Sequence, residues 1–195
     1  PLTNTSNSFN TTPGSGSNAL LSTLSGQNTN DANALSFSFT STNPTANSVS
    51  IQFVFGTDEF PTQSVTDIFG FFVDGVNYAK FPSGELISNT PGNPTNFILN
   101  PVGGGLYDIE YNGLTQVFTA VGLFDPTLET HTLTIAIADT SDSIFQSGVY
   151  IGALNAKFTE GPGGIDPDPE NGVPEPSTLA LLGLALGIAG LRKKK

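Results

Sequence analysis

The sequence predicts an all-β protein, a two-sheet antiparallel β-sandwich of jelly-roll type, followed by a Pro/Gly/Asp linker and a short C-terminal apolar helix. Three observations carry this reading. Fifteen Phe with abundant Thr and Ser suit pleated, half-buried surfaces. Twenty-two Gly and fourteen Pro supply the turns between short strands. Apolar and polar residues alternate in several runs between residues 34 and 158, and no segment before the tail combines a helical period with caps. Roughly seven to ten short strands in about 140 residues fit a sandwich, and no internal repeat points elsewhere.

Taken in order, residues 1–18 form a Ser/Thr/Asn/Gly tract too polar to bury, read as a disordered lead into a domain over 19–158. Leu35, Phe37 and Phe39 alternate with Ser36, Ser38 and Thr40, the pattern of a half-buried strand. Beyond the turn-rich residues 43–47, Val49, Ile51, Phe53 and Phe55 share one face of a second strand, and the two read as an antiparallel hairpin. Residues 68–73 are almost wholly apolar and end at Asp74-Gly75, which predicts a central strand buried on both faces and a tight turn into 76–81. Residues 82–105 read as loop except for Phe97-Ile98-Leu99. Later strands fall over 114–121, over 131–139 with Leu133, Ile135 and Ile137 inward, and over 149–158.

The alternating prolines and acids of 159–176 make an extended tether. Its residues 159–175 span up to roughly 50 Å at about 3.1 Å per residue. It ends in Val173, Pro174, Glu175 and Pro176. Residues 177–195 then read as a membrane anchor, in which Leu179, Leu182, Leu184, Leu186, Ile188 and Leu191 belong to an apolar run filling every face of a helix. Arg192, Lys193, Lys194 and Lys195 follow, and such a basic cluster stays on the cytoplasmic side, placing the body outside. As a helix, residues 179–191 reach only about 20 Å against a hydrocarbon core of roughly 30 Å, so the anchor is short and suited to transient use. This topology requires an export leader upstream of Pro1, so the chain reads as a processed or truncated product.

The body carries Lys80 and Lys157 against seventeen Asp and Glu in the chain. A formal charge of about −15 repels phosphate backbones, which excludes nucleic acid as a partner. Without Cys there is no disulfide framework and no thiolate metal site.

The tail, with Val173 before Pro174-Glu175-Pro176, the Gly-spaced apolar run and the basic cluster, resembles the PEP-CTERM sorting signal of Gram-negative bacteria. The resemblance implies export, transient residence in the inner membrane, and processing by an exosortase that releases the protein to the cell envelope or exterior. The body resembles the choice-of-anchor L domain across residues 30–158. The stretches that carry this are Asn30-Asp31-Ala32 leading into Leu35–Phe39, Phe53-Val54-Phe55-Gly56-Thr57-Asp58-Glu59-Phe60-Pro61, residues 66–75, Tyr111-Asn112-Gly113-Leu114-Thr115 and residues 137–149. The family's Ser-Glu-Glu-Tyr is replaced by Thr57-Asp58-Glu59-Phe60, and Thr66 stands where Asn is usual. The region before Asp31 is short, so an N-terminal strand is either absent or lies in 19–24. The resemblance implies a β-rich surface domain and brings no established activity.

Acidic residues gather in these stretches. Asp58, Glu59, Asp67, Asp139 and Asp142 form a candidate Ca²⁺ set, because hard cations take six to eight oxygens and secreted modules bind calcium where it is plentiful. Asp139 and Asp142 can serve one ion only if the chain turns after Ala138. The alternative is that these are solvated loop acids or turn caps. His131 is the only histidine, so no transition-metal set is offered. No nucleophile elbow accompanies it. Asp58 and Glu59 are adjacent, and extended neighbours project apart, unlike paired glycosidase carboxylates. These features favour a non-enzymatic surface or matrix protein. An exopolysaccharide-binding module is the next reading and a glycoside hydrolase the third. The lack of Trp counts against carbohydrate stacking, although Tyr78, Tyr107, Tyr111 and Tyr150 are available.

Overall fold

Phe residues from two antiparallel sheets meet face to face in a computed structural model that describes residues 3–10, 14, 16–61, 66–88 and 94–166. In chain order the elements are α1 (Ala19–Ser25), β1 (Thr29–Phe39), β2 (Ser48–Thr57), β3 (Thr66–Val73), β4 (Val76–Asn77), β5 (Ile87–Ser88), β6 (Phe97–Leu99), β7 (Gly113–Thr115), β8 (Phe118–Leu123), β9 (His131–Thr140), β10 (Ser147–Lys157) and β11 (Gly164–Asp166). The first sheet runs β1-β9-β3-β4, with β5 also on β3. The second runs β11-β8-β2-β7-β6, with β10 along β2. The all-β sandwich read from the sequence is therefore the fold.

Between the sheets lie Ile51, Phe53 and Phe55 of β2, Phe69, Phe71 and Val73 of β3, Phe81, Phe97, Phe118 and Leu133. Phe53 and Phe69 join the layers with ring centroids 4.9 Å apart. Each such side chain, when fully buried, contributes about 1.5–3 kcal/mol relative to exposure. The other face of β3 is covered too: Ile68 and Phe72 pack with Ala136, Ala138 and Leu21 of α1. That second cluster is why β3 is apolar on both faces, as its sequence indicates. The Asp74-Gly75 turn adopts positive φ at both residues, 49° and 80°, and feeds β4 back along β3.

Several expectations are corrected. Strands β1 and β2 do not form a hairpin: β1 pairs with β9 in one sheet, and β2 pairs with β7, β8 and β10 in the other. The connection arches between layers, with Ala46 buried and Asn47 bonded to both Phe124 and Lys157 through the backbone. Leu35 and Phe37 are consequently not inward residues but are 60% and 37% exposed, because β1 is an edge strand. The run 114–121 is split into β7 and β8. Residues 19–25 are a helix, with the Asn18 side chain accepting from Leu21 N–H at 3.0 Å and Gly26 closing the end at φ 70°.

Two boundaries also move. The polar N-terminal tract is docked where it is described: Asn4 is buried and donates to Asn100 O and Asn112 Oδ1, and Thr5 bonds to Glu110. Hydrogen bonding between polar side chains does here what apolar burial was expected to do. At the other end, β11 pairs with β8, so the second sheet continues past Phe158 into the Gly-rich stretch taken as linker. Pro167 onward, including Val173–Pro176 and the apolar and basic tail, lies outside the described residues. Among the described residues no helix is long and apolar enough to cross a membrane.

Candidate functional site

One end of the sandwich gathers carboxylates from four backbone segments. Asp67 begins β3 and Asp139 ends β9, and their Cα atoms are direct partners in the ladder. Asn30 of β1 pairs with Asp139 on its other side, and the register slips between Asn30 and Asn33. This bulge holds Asp31, at φ 45°, next to the same point. Glu59 follows β2 in the opposite sheet. Asp142 follows β9 after Ser141 turns the chain with φ 76°. The turn the sequence required after Ala138 therefore exists, three residues later. Asn30 Nδ2 donates to Asp142 O at 2.8 Å, and Ser141 Oγ donates to Gln27 Oε1 at 2.6 Å, which fixes this loop against β1 and its approach.

Glu59, Asp67 and Asp139 are buried, and Asp31 and Asp142 are partly buried. Glu59 is 1% exposed and Asp139 4%. Neither Glu59 Oε1 nor Oε2 has a hydrogen-bond partner, and Asp31 Oδ2, Asp139 Oδ2 and Asp142 Oδ1 are likewise buried and unpartnered. Asp67 accepts from Ser147 Oγ of β10. Burial, then the charges of Asp142, Asp139 and Asp58, raises Glu59 to about 8. Burial, then Asp31 and Asp142, raises Asp139 to about 7. Burial, then Asp139, lifts Asp67 well above the ordinary carboxylate range. Near neutrality these groups do not all ionise unless a positive charge joins them.

Asp58 does something else. Its Oδ2 accepts from Phe9 N–H at 2.9 Å and its Oδ1 from Asn112 N–H at 3.0 Å, with Asp58 N–H donating to Gln146 O. Burial still raises it to about 6 against those bonds. It stitches the N-terminal segment, the approach to β7 and the approach to β10 together. Asp31, absent from the sequence-read set, faces the cluster in its place. The bulge that brings it there has no local signature in Asn30-Asp31-Ala32, and only the register shift reveals it. Among the described residues no group of three or more Asp, Glu, His or Cys side chains is placed where it could hold a metal ion.

A groove of about 370 Å³ opens onto the cluster between β1 and β10. Asp31 and Asp139 line its acidic end, and Leu35, Ile135, Tyr111 and Ile151 line the rest. His131 lies elsewhere. Its Nδ1 is 2.8 Å from Asp74 Oδ2, and its ring packs on Phe124 and Phe39 at centroid distances of 4.6 and 5.3 Å. His131 Nε2 is buried without a partner, so no hydroxyl completes a relay there.

Comparison with protein families matches residues 1–156 to the Choice-of-anchor L domain. The chain belongs to the choice-of-anchor L domain family. Residues 172–195 match the PEP-CTERM protein-sorting motif. The chain is thus an exported, cell-envelope-associated protein sorted by an exosortase. The choice-of-anchor L match reaches back over residues 3–10, in agreement with the docking of Asn4, Thr5 and Phe9 against the sandwich. No curated protein matches the chain. No solved structure matches it either.

Proposed function

We propose that the choice-of-anchor L domain serves as a non-enzymatic structural or adhesive component of the cell surface or extracellular matrix. In this reading the precursor sits in the inner membrane with its C-terminus cytoplasmic until the exosortase removes the anchor. The observation that supports it is the pairing of the sorting motif at 172–195 with a choice-of-anchor L domain over 1–156. The carboxylates also support it. Asp58 is engaged in holding backbone, and Glu59 is enclosed, so neither presents an acid to a sugar ring.

Binding of exopolysaccharide is a second reading. Tyr150 is 47% exposed, and its ring stands 6.4 Å from that of Tyr111, which lines the groove. A tyrosine pair beside a groove is an amphipathic surface of the kind sugars stack on. The full-length chain in detergent micelles, printed against a glycan array and incubated with fluorogenic glycosides, separates the readings. The structural role predicts neither micromolar retention nor turnover. Retention that Tyr150→Ala abolishes establishes the binding module, and turnover that Asp139→Asn abolishes establishes an enzyme.

A further inference from the structure

We propose that Asp31, Glu59, Asp139 and Asp142, with Asp67 beside them, bind one Ca²⁺ ion that clasps the two sheets together at the end of the sandwich. The inference is independent of the domain's role on the surface.

Glu59 is the buried group that calls for a cation. An acidic cluster alone is common on proteins, but a carboxylate 1% exposed with neither oxygen hydrogen-bonded is not. Burying such a group unpaired is costly, and native structures satisfy it with a donor, a water or a cation. The charges that bear on Glu59 are those of other acids, Asp142, Asp139 and Asp58, so its neighbours aggravate the cost. Asp31, Asp139 and Asp142 each add a buried oxygen without a partner. A proton on one of them relieves one charge. A divalent cation relieves the whole group.

The donor set selects the ion. Every side chain is an oxygen ligand, and the sole histidine is engaged by Asp74, which disfavours zinc and its neighbours. Magnesium demands near-ideal octahedral geometry and retains its waters, whereas calcium accepts six to eight oxygens in irregular arrangements. Carboxylates arriving from a bulge in β1, the connection after β2, the end of β9 and the loop after it suit the second ion. Among the described residues no three acids stand where they could hold a metal ion as they are, so binding requires these side chains to move. Binding draws them inward about their rotatable bonds, with water completing the shell. The groove between β1 and β10, lined at one end by Asp31 and Asp139, supplies the entry path.

The bound ion ties Glu59, which follows β2 of one sheet, to three acids of the other. It also joins the β9–β10 loop to the bulge of β1. An affinity in the range of extracellular modules, roughly 10⁻⁴–10⁻³ M, is expected.

The test is calorimetric titration of the full-length chain in detergent micelles with CaCl₂, together with thermal unfolding in EDTA, MgCl₂ and millimolar CaCl₂ at matched ionic strength. We expect saturable binding of one Ca²⁺ per chain and a melting temperature several degrees higher in CaCl₂ than in EDTA, with a smaller rise in MgCl₂. Glu59→Gln keeps the side-chain shape and removes the charge. It is expected to melt no lower than wild type in EDTA and to lose the calcium increment. Absence of saturable heat at millimolar CaCl₂, or an undiminished calcium response in Glu59→Gln, overturns the site. Should Glu59→Gln fail to fold, Asp142→Asn, in the loop, gives the same comparison, and the wild-type titration decides by itself.

Discussion

Adjacent acids in this chain perform opposite tasks, and the difference lies in what each oxygen meets. Asp58 accepts two backbone N–H groups, so it organises three stretches of chain, whereas neither oxygen of Glu59 has a hydrogen-bond partner and the charges that bear on it are those of other acids. The sequence shows that both are acidic and near a strand end. It does not show that Phe9 and Asn112 are waiting for one of them, because those partners are 49 and 54 residues away. Asp31 illustrates the same point, since a one-residue shift of register decides its direction. Asp74 offers a cleaner experiment. Burial acts to raise it, but the Thr132 N–H and the His131 ring outweigh burial and hold it below the usual carboxylate range. A group lowered on folding contributes stability above its unfolded value of about 4 and loses it as pH falls through the folded value. Glu59, Asp67 and Asp139, raised on folding, run the other way, and they are common to wild type and variant. Asp74→Asn is therefore expected to cost about 1 kcal/mol at neutral pH, a modest figure because a third of the Asp74 side chain is exposed. Denaturant unfolding of both proteins from neutral pH down to about pH 3 should show the gap closing as Asp74 protonates. A gap that widens on acidification contradicts this assignment.

Elements were legible wherever one face of a strand repeats every second residue against a core. β2, β3 and β9 follow their sequence patterns because they are central strands. β1 has as clear an alternation as any, yet it lies at an edge, and alternation gives the faces of a strand without saying which sheet it joins or what covers it. α1 escaped detection because seven residues hold less than two full periods, although its caps at Asn18 and Gly26 are ordinary signals. β11 escaped because glycine and proline normally argue against a strand, and it is only a short edge segment. The packing of α1 on β3 gives a prediction. Gly70 lies on the helix-facing side, and a Cβ there would come within 2.3 Å of the Phe72 ring and 3.1 Å of Leu21. Gly70→Ala is expected to push Phe72 and α1 outward and to destabilise the domain by about 1–3 kcal/mol, the usual cost of overpacking. Urea unfolding monitored by far-UV circular dichroism measures it. An unchanged midpoint means α1 is not seated as described.

At the scale of the molecule, fold class, export and sorting were all readable from the chain, for different reasons. The fold follows from periodicity and composition, which are distributed over the whole body. The sorting signal is a compact motif in which order alone carries the information. The cluster between the sheets was readable in part, since Glu59, Asp67, Asp139 and Asp142 are acids near strand ends, but their convergence depends on topology that pairs β1 with β9 and β9 with β3. The domain reaches the cell envelope through its tail. Intact-mass spectrometry of the protein isolated from the native cell envelope tests this most directly. A mature species lacking residues 179–195, with the domain otherwise whole, is the predicted result. Surface-displayed protein that still carries Lys195 would contradict it.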